Sequence, residues 1–258
     1  MIPTETRDEI LKRISNAEQE HNVRVIYAIE SGSRAWGFAS PNSDFDVRFI
    51  YAHPKDWYVA VDLEEKRDVI EYDIVDEIDI NGWDVRKALL LFRKSNPAFV
   101  EWLQSSIVYV DDGYFAAAAR DLIQDIYSPE KGIYHYRSMA KTNYRGYLRE
   151  SEVPLKKYFY VLRPLLSIRW LEIHKTPAPI EFDKLMTLVE RDSKLNREIE
   201  KLLETKKVSL EKEVGPAISI INDFVEKELM RLESYGEKPD SNRGSTVQLN
   251  ALFHAVVS

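Results

Sequence analysis

An α+β fold (an α/β-type first half, then an all-helical second half) is predicted for this 258-residue chain. Three observations predict it. Val23–Ile29 is a β-branched run, Asp44–Tyr51 alternates polar with apolar side chains, and beyond Tyr114 the apolar residues recur at helical spacing. The Asp111-Asp112-Gly113 turn marks the change and divides the chain into residues 1–112 and 113–258.

Each element has its own signal. Thr6-Arg7-Asp8-Glu9 has the pattern of a capping box, and Ile10, Leu11 and Ile14 then share a helix face. The strand Val23–Ile29 ends at the turn Ser31-Gly32-Ser33, and Pro41-Asn42-Ser43 turns the chain into the next strand. In that strand Asp44, Asp46, Arg48 and Ile50 point one way, while Phe45, Val47, Phe49 and Tyr51 point the other. Val69–Ile80 predicts a hairpin or bent pair of strands, broken by Asn81-Gly82. Helices are predicted from Trp83 to Lys94 and from Ala98 to Leu103, and a strand from Ile107 to Val110. The second half predicts helices over 114–126, 133–149, 155–174, 182–191, 195–205 and 214–235, with Pro129 and Thr176–Pro179 as connectors. Glu237–Gly244 predicts a linker and Val247–Val257 a last helix.

Composition narrows the function. The chain has no cysteine, which excludes disulfides, thiolate metal sites and cysteine nucleophiles. Its net charge of −7 argues against a surface that grips nucleic acid everywhere. The charge is uneven, however: acidic residues crowd Asp62–Asp84 and basic ones Arg137–Arg169. Met1–Arg7 has no basic region followed by an apolar run, and no stretch is apolar enough to cross a bilayer. The expected compartment is the cytoplasm.

The chemistry is expected at two motifs. Gly32 directly after a strand lets backbone amides approach a ligand, and Ser33 adds a hydroxyl, a common way to hold phosphate oxygens. Asp44 and Asp46 lie two apart on one strand face, where like charges repel unless a cation sits between them. Magnesium suits that place because it takes hard carboxylate oxygens together with substrate phosphates. A third carboxylate would complete a two-metal site, and Asp79 is preferred over Asp73 for its place in Ile78-Asp79-Ile80.

The helical half offers cations. Lys141, Arg145 and Arg149 share one helix face, and Lys156, Tyr160 and Arg163 share another. Solvated basic faces are the commoner meaning of such stripes, and Lys156 or Lys157 is the preferred phosphate contact. The histidines His21, His53, His135, His174 and His254 show no zinc spacing. Lys131-Gly132 lacks the rest of a P-loop, and Ser33 has no histidine partner for hydrolase chemistry.

With these motifs the chain resembles the DNA polymerase β-like nucleotidyltransferase superfamily. The string Gly32-Ser33-Arg34-Ala35-Trp36-Gly37-Phe38-Ala39-Ser40-Pro41-Asn42-Ser43-Asp44-Phe45-Asp46-Val47-Arg48 is similar to a bacterial and phage branch, the RNA-repair-pathway polymerase β family. Asp79–Leu89, Lys94–Pro97, Glu101–Leu103 and Lys156–Pro164 extend the likeness to about residue 185. The resemblance implies a mixed-sheet catalytic domain over 1–112 and a helical domain over 113–258 closing the nucleotide site. It also implies Asp44, Asp46 and Asp79 as ligands of two magnesium or manganese ions.

The expected activity is transfer of a nucleoside monophosphate from an NTP such as ATP to an acceptor hydroxyl. That acceptor is an RNA end, a protein or a small molecule. Gly32, Ser33, Arg34, Ser43, Lys156, Lys157 and Arg163 are the expected nucleotide and phosphate contacts. Two alternatives stand beside it: a catalytically silent, antitoxin-like nucleotide-binding module, and, more weakly, a metal-dependent phosphohydrolase.

Overall fold

A computed structural model describes residues 2–208, 213–235 and 246–258. Helix α1 (Thr4–His21) leads into β1 (Arg24–Glu30), α2 (Gly32–Trp36), β2 (Phe45–Ala52), α3 (Lys55–Tyr58), β3 (Val69–Glu71) and β4 (Ile78–Asp84). Then come α4 (Val85–Arg93), α5 (Pro97–Gln104), β5 (Val108–Asp111), α6 (Phe115–Asp121), α7 (Ile123–Ile126) and α8 (Pro129–Tyr147). The rest comprises β6 (Glu152–Pro154), α9 (Lys156–His174), α10 (Phe182–Met186), α11 (Lys194–Val208), β7 (Val214–Pro216), α12 (Ser219–Glu233) and α13 (Thr246–Val257).

The strands form a five-stranded mixed sheet ordered β3-β4-β2-β1-β5, in which β2 and β4 run parallel and every other pairing is antiparallel. Both faces of the sheet are covered. On one, α1 buries Ile10, Ile14 and Ala17 with Val25, Phe45, Val47, Phe49 and Ile80. On the other, Ile26, Ile29 and Ile50 join a continuous core with α4, α5, α6, α8, α9 and α13. Ile50 and Ala52 lie under that helical layer, whereas Asp46 and Arg48, earlier on the same strand face, remain partly exposed. The sheet thus leaves its polar residues at one uncovered end.

Several local expectations need correction. The first helix begins at Thr4, with Pro3 before it and no side-chain cap, so the Thr6–Glu9 capping box does not form. Asn81-Gly82 does not break a strand, because β4 passes through both to Asp84. Gly82 is there for close packing: a Cβ on it would lie 2.2 Å from the Phe49 ring. Helix α4 accordingly starts later, capped by Asp84, whose carboxylate accepts from the Arg86 amide at 2.8 Å.

Pro129 is no connector. It opens α8 behind the Ser128 cap, where its missing N–H costs nothing. The helix expected over 114–126 is two short ones, and that expected over 182–191 stops at Met186. Residues 214–216, expected to be helical, pair with Glu152–Pro154 as a small antiparallel ribbon. Gly215 and Pro216 are poor helix interior residues, and the ribbon uses their backbone instead. The linker expected over Glu237–Gly244 lies outside the described residues.

Candidate active site

Parallel pairing of β2 with β4 sets Asp46 directly opposite Asp79. Neighbouring strands are about 4.8 Å apart, so two carboxylates in register repel strongly without a cation. Arg48 supplies one. Its Nη2 donates to Asp79 Oδ2 at 2.7 Å and reaches Asp46 Oδ1 at 3.4 Å, while Nη1 donates to the Val47 and Asp79 carbonyls at 2.9 Å each. Asn81 holds the other Asp79 oxygen at 2.5 Å. Asp73 lies exposed in the connection between β3 and β4.

The glycine-serine turn is built onto the same carboxylate. Gly32 has φ +59°, and a Cβ on it would lie 1.9 Å from Asp46 Oδ2. No other residue meets both conditions without displacing the aspartate. The Ser31 amide donates to the Asp46 carbonyl at 2.8 Å, fixing the turn to β2. Ser33, half-buried, follows Gly32 in the five-residue helix α2.

Asp44 stands just before β2, half-buried. Arg34 braces the loop before it: Nη2 donates to the Ser43 carbonyl at 2.6 Å, Nε to the Asp44 carbonyl at 3.4 Å, and the guanidinium lies 3.9 Å over the Phe45 ring. Ser43 is buried, its hydroxyl accepting from the Ser40 amide at 3.0 Å. Arg34 and Ser43 therefore shape the loop that presents Asp44.

From the helical half, Lys156 and Lys157 open α9, and the Lys157 ammonium lies 4.0 Å over Tyr147 and 4.8 Å over Tyr160. One turn on, Tyr160 and Arg163 both meet Trp36 of α2, at 5.8 and 4.5 Å. The first turns of α9 thus pack beside the helix that carries Ser33. Arg163 is 2% exposed and pairs with Glu101 at 3.1 Å, so it is a strut in the core.

Three residues of this neighbourhood were not foreseen. Glu30, fully buried at the end of β1, accepts from the Asp46 amide at 3.1 Å and from the Tyr109 hydroxyl at 2.7 Å. Burial pushes its carboxyl up to about 7 although both hydrogen bonds pull the other way. Tyr109 comes from β5, and Lys206, 2% exposed on α11, donates to the Ser40 hydroxyl at 3.0 Å. A charged residue ending an otherwise apolar strand was the one available signal for Glu30; nothing local marks Lys206.

Among the described residues no three acidic or histidine side chains stand close enough to hold a metal by themselves. Magnesium does not require them, since one or two carboxylates plus substrate phosphates complete its shell. Asp46 and Asp79 are hard oxygen donors that already share one cation, and they fit a magnesium or manganese nucleotide complex on that ground.

A mixed sheet bearing an in-register aspartate pair, with a glycine-serine turn against it, defines a polymerase β-like nucleotidyltransferase fold. More specifically, the chain belongs to the RNA repair pathway DNA polymerase beta family, whose profile matches residues 6–255. It is 44% identical over 248 residues to a Bacillus subtilis (strain 168) protein described as uncharacterized protein YcgL, covering 96% of this chain and 95% of that one. A crystal structure of a nucleotidyltransferase-like protein from Exiguobacterium sibiricum 255-15 aligns over 96% of this chain and 89% of its own, at 11% identity and a TM-score of 0.29. No helix among the described residues is long and apolar enough to cross a membrane.

Proposed function

We propose that this protein transfers a nucleoside monophosphate from an NTP to an acceptor hydroxyl on an RNA end, a protein or a small molecule. The observation that carries the reading is the register pairing of Asp46 with Asp79 beside Gly32. In the reaction the acceptor oxygen bonds to the α-phosphorus, the bond from that phosphorus to the α–β bridging oxygen breaks, and pyrophosphate leaves. The acceptor proton passes to a carboxylate or to solvent.

Asp44, Asp46 and Asp79 would hold two magnesium or manganese ions, which supply charge neutralisation on the phosphates and a more acidic acceptor hydroxyl. Gly32 lets the turn lie against Asp46, and Ser33 faces the phosphates from α2. Arg34 and Ser43 fix the loop that presents Asp44. Lys156 and Lys157 contribute positive charge from α9, and Arg163 acts through Trp36. Residues 1–112 carry the carboxylates and residues 113–258 close over the nucleotide.

A second reading draws on one observation. Arg48 spans Asp46 and Asp79, which is how a silent, regulatory nucleotide-binding module would stabilise the pair without a metal. The test is incubation with α-phosphate-labelled NTPs, magnesium or manganese, and cellular RNA and protein, beside an Asp44→Asn/Asp46→Asn control. Label on RNA from the native protein alone supports transfer. Metal-dependent NTP binding without transfer to any acceptor supports the silent module.

A further inference from the structure

A cavity of about 910 Å³ lies between α8 and α12, and none of its lining residues belongs to the carboxylate site. Its α8 wall carries Arg137, Lys141 and Arg145, each four residues from the last, and Arg149 follows just beyond the end of that helix. Such residues stack on one helix face with a rise of about 6 Å per step, the order of the separation between successive phosphates in an extended strand. Arg137 is committed to the end of α12, donating to the Leu232 and Tyr235 carbonyls at 2.9 and 2.7 Å. Lys141, Arg145 and Arg149 are exposed and have no ion-pair partner among the described residues. In a chain of net charge −7, three such cations in one concavity are a concentrated exception.

The opposite wall is different. From α12 come Leu229, Met230, Glu226 and Glu233, with Met230 67% exposed. Tyr134 stands on α8 a turn before Arg137 and Tyr144 stands between Lys141 and Arg145, and Arg149 lies 5.5 Å over the Tyr144 ring. The groove is therefore polarised across its width. A ligand that is anionic throughout would be held by α8 and repelled by Glu226 and Glu233. A ligand with a phosphate edge and a flat, amine-bearing edge satisfies both walls: phosphates on the cations, ring faces on Tyr144, Leu229 and Met230, exocyclic amines toward the carboxylates. The volume holds several ring systems, well beyond a single anion.

We propose that this groove binds a single-stranded nucleic acid, with its phosphodiester backbone along Lys141, Arg145 and Arg149 and its bases against α12. That the strand is the acceptor rests on the nucleotidyl-transfer reading; the binding itself does not.

The experiment measures binding of end-labelled single strands of about ten nucleotides by fluorescence anisotropy, in chelator and without NTP, over a series of salt concentrations. RNA and DNA of one sequence form separate arms, and the tighter of the two names the natural source. The native protein is compared with Lys141→Gln/Arg145→Gln, whose positions are exposed and unpaired, and with Asp44→Asn/Asp46→Asn. The first variant is expected to bind at least about tenfold more weakly, with a log–log salt slope shallower by about 1.4, two contacts at about 0.7 each. Its NTP binding should be unchanged. The aspartate variant should bind strands as the native protein does, whereas a native protein that binds strands without transferring label would count against the catalytic reading alone.

Three results would overturn the proposal: no strand binding by the native protein, equal affinity and slope in the glutamine variant, or inorganic polyphosphate displacing the strand as well as an unlabelled strand does.

Discussion

Asp46 and Asp79 face one another in register on parallel strands, joined through the guanidinium of Arg48. Everything proposed for the site depends on that relationship, because it places two like charges where a cation must follow.

Removing Arg48 should expose the need for the cation. In Arg48→Ala the two carboxylates lose their shared partner, and binding of a metal to the folded state then stabilises more than it does in the native protein. Thermal unfolding with and without magnesium is expected to show the larger rise for the variant. An equal rise in both would place the metal elsewhere.

Two glycines, Gly32 opening α2 and Gly37 just after it, separate steric from conformational effects. Both have positive φ, +59° at Gly32 and +89° at Gly37, but a Cβ on Gly32 meets Asp46 while one on Gly37 meets nothing within 4 Å. Gly37→Ala should cost about 1 kcal/mol of stability and keep activity. Gly32→Ala should displace the aspartate and lower transfer by at least about a hundredfold. Denaturant unfolding and initial rates on both variants check this.

Asp84 gives the protein a pH dependence of stability. It is 1% exposed, and burial raises its carboxyl to about 6 despite donation from the Tyr58 hydroxyl and the Arg86 amide. A folded-state pKa above the unfolded value means that the folded state holds the extra proton. The associated stability is full below about 4, the unfolded value, and is lost as pH rises through about 6. Asparagine keeps the helix cap and never ionises. Asp84→Asn should therefore gain on the native protein between pH 4 and 7, by on the order of 1–3 kcal/mol. Unfolding curves at a series of pH values read the difference, and parallel curves would contradict it.

Arg163→Met should act on the fold before the chemistry. The substitution leaves Glu101, with 13% of its side chain exposed, without its cationic partner. Removing one member of such a pair costs about 3–5 kcal/mol. A shift in denaturant midpoint of that size is expected; a variant of native stability with a raised KM for NTP would instead make Arg163 a direct phosphate contact.

The sequence made the strand alternation at Asp44–Tyr51 legible, because a period of two is a local property. The same is true of the glycine turn and of the α+β fold class. Asp79 could be ranked above Asp73 only by its neighbours, since the register that brings it to Asp46 is set by pairing across more than thirty residues of chain. Gly82 was misread because turn glycines and close-packing glycines look alike until the Phe49 ring is in place. The ribbon of β6 with β7 pairs three-residue segments far apart in sequence, too short for any periodic signal. Lys206 reaches Ser40 across 166 residues, and no spacing rule anticipates such a contact.

The central claim is tested most directly by single-residue comparison of Asp46→Asn, Asp79→Asn and Asp73→Asn in transfer of α-phosphate label from NTP to RNA. The account predicts that the first two lose transfer by at least about a hundredfold, while Asp73→Asn, changed at an exposed position, keeps the native rate. An active Asp79→Asn, or an inactive Asp73→Asn that still folds, would contradict the pairing of Asp46 with Asp79 as the catalytic centre.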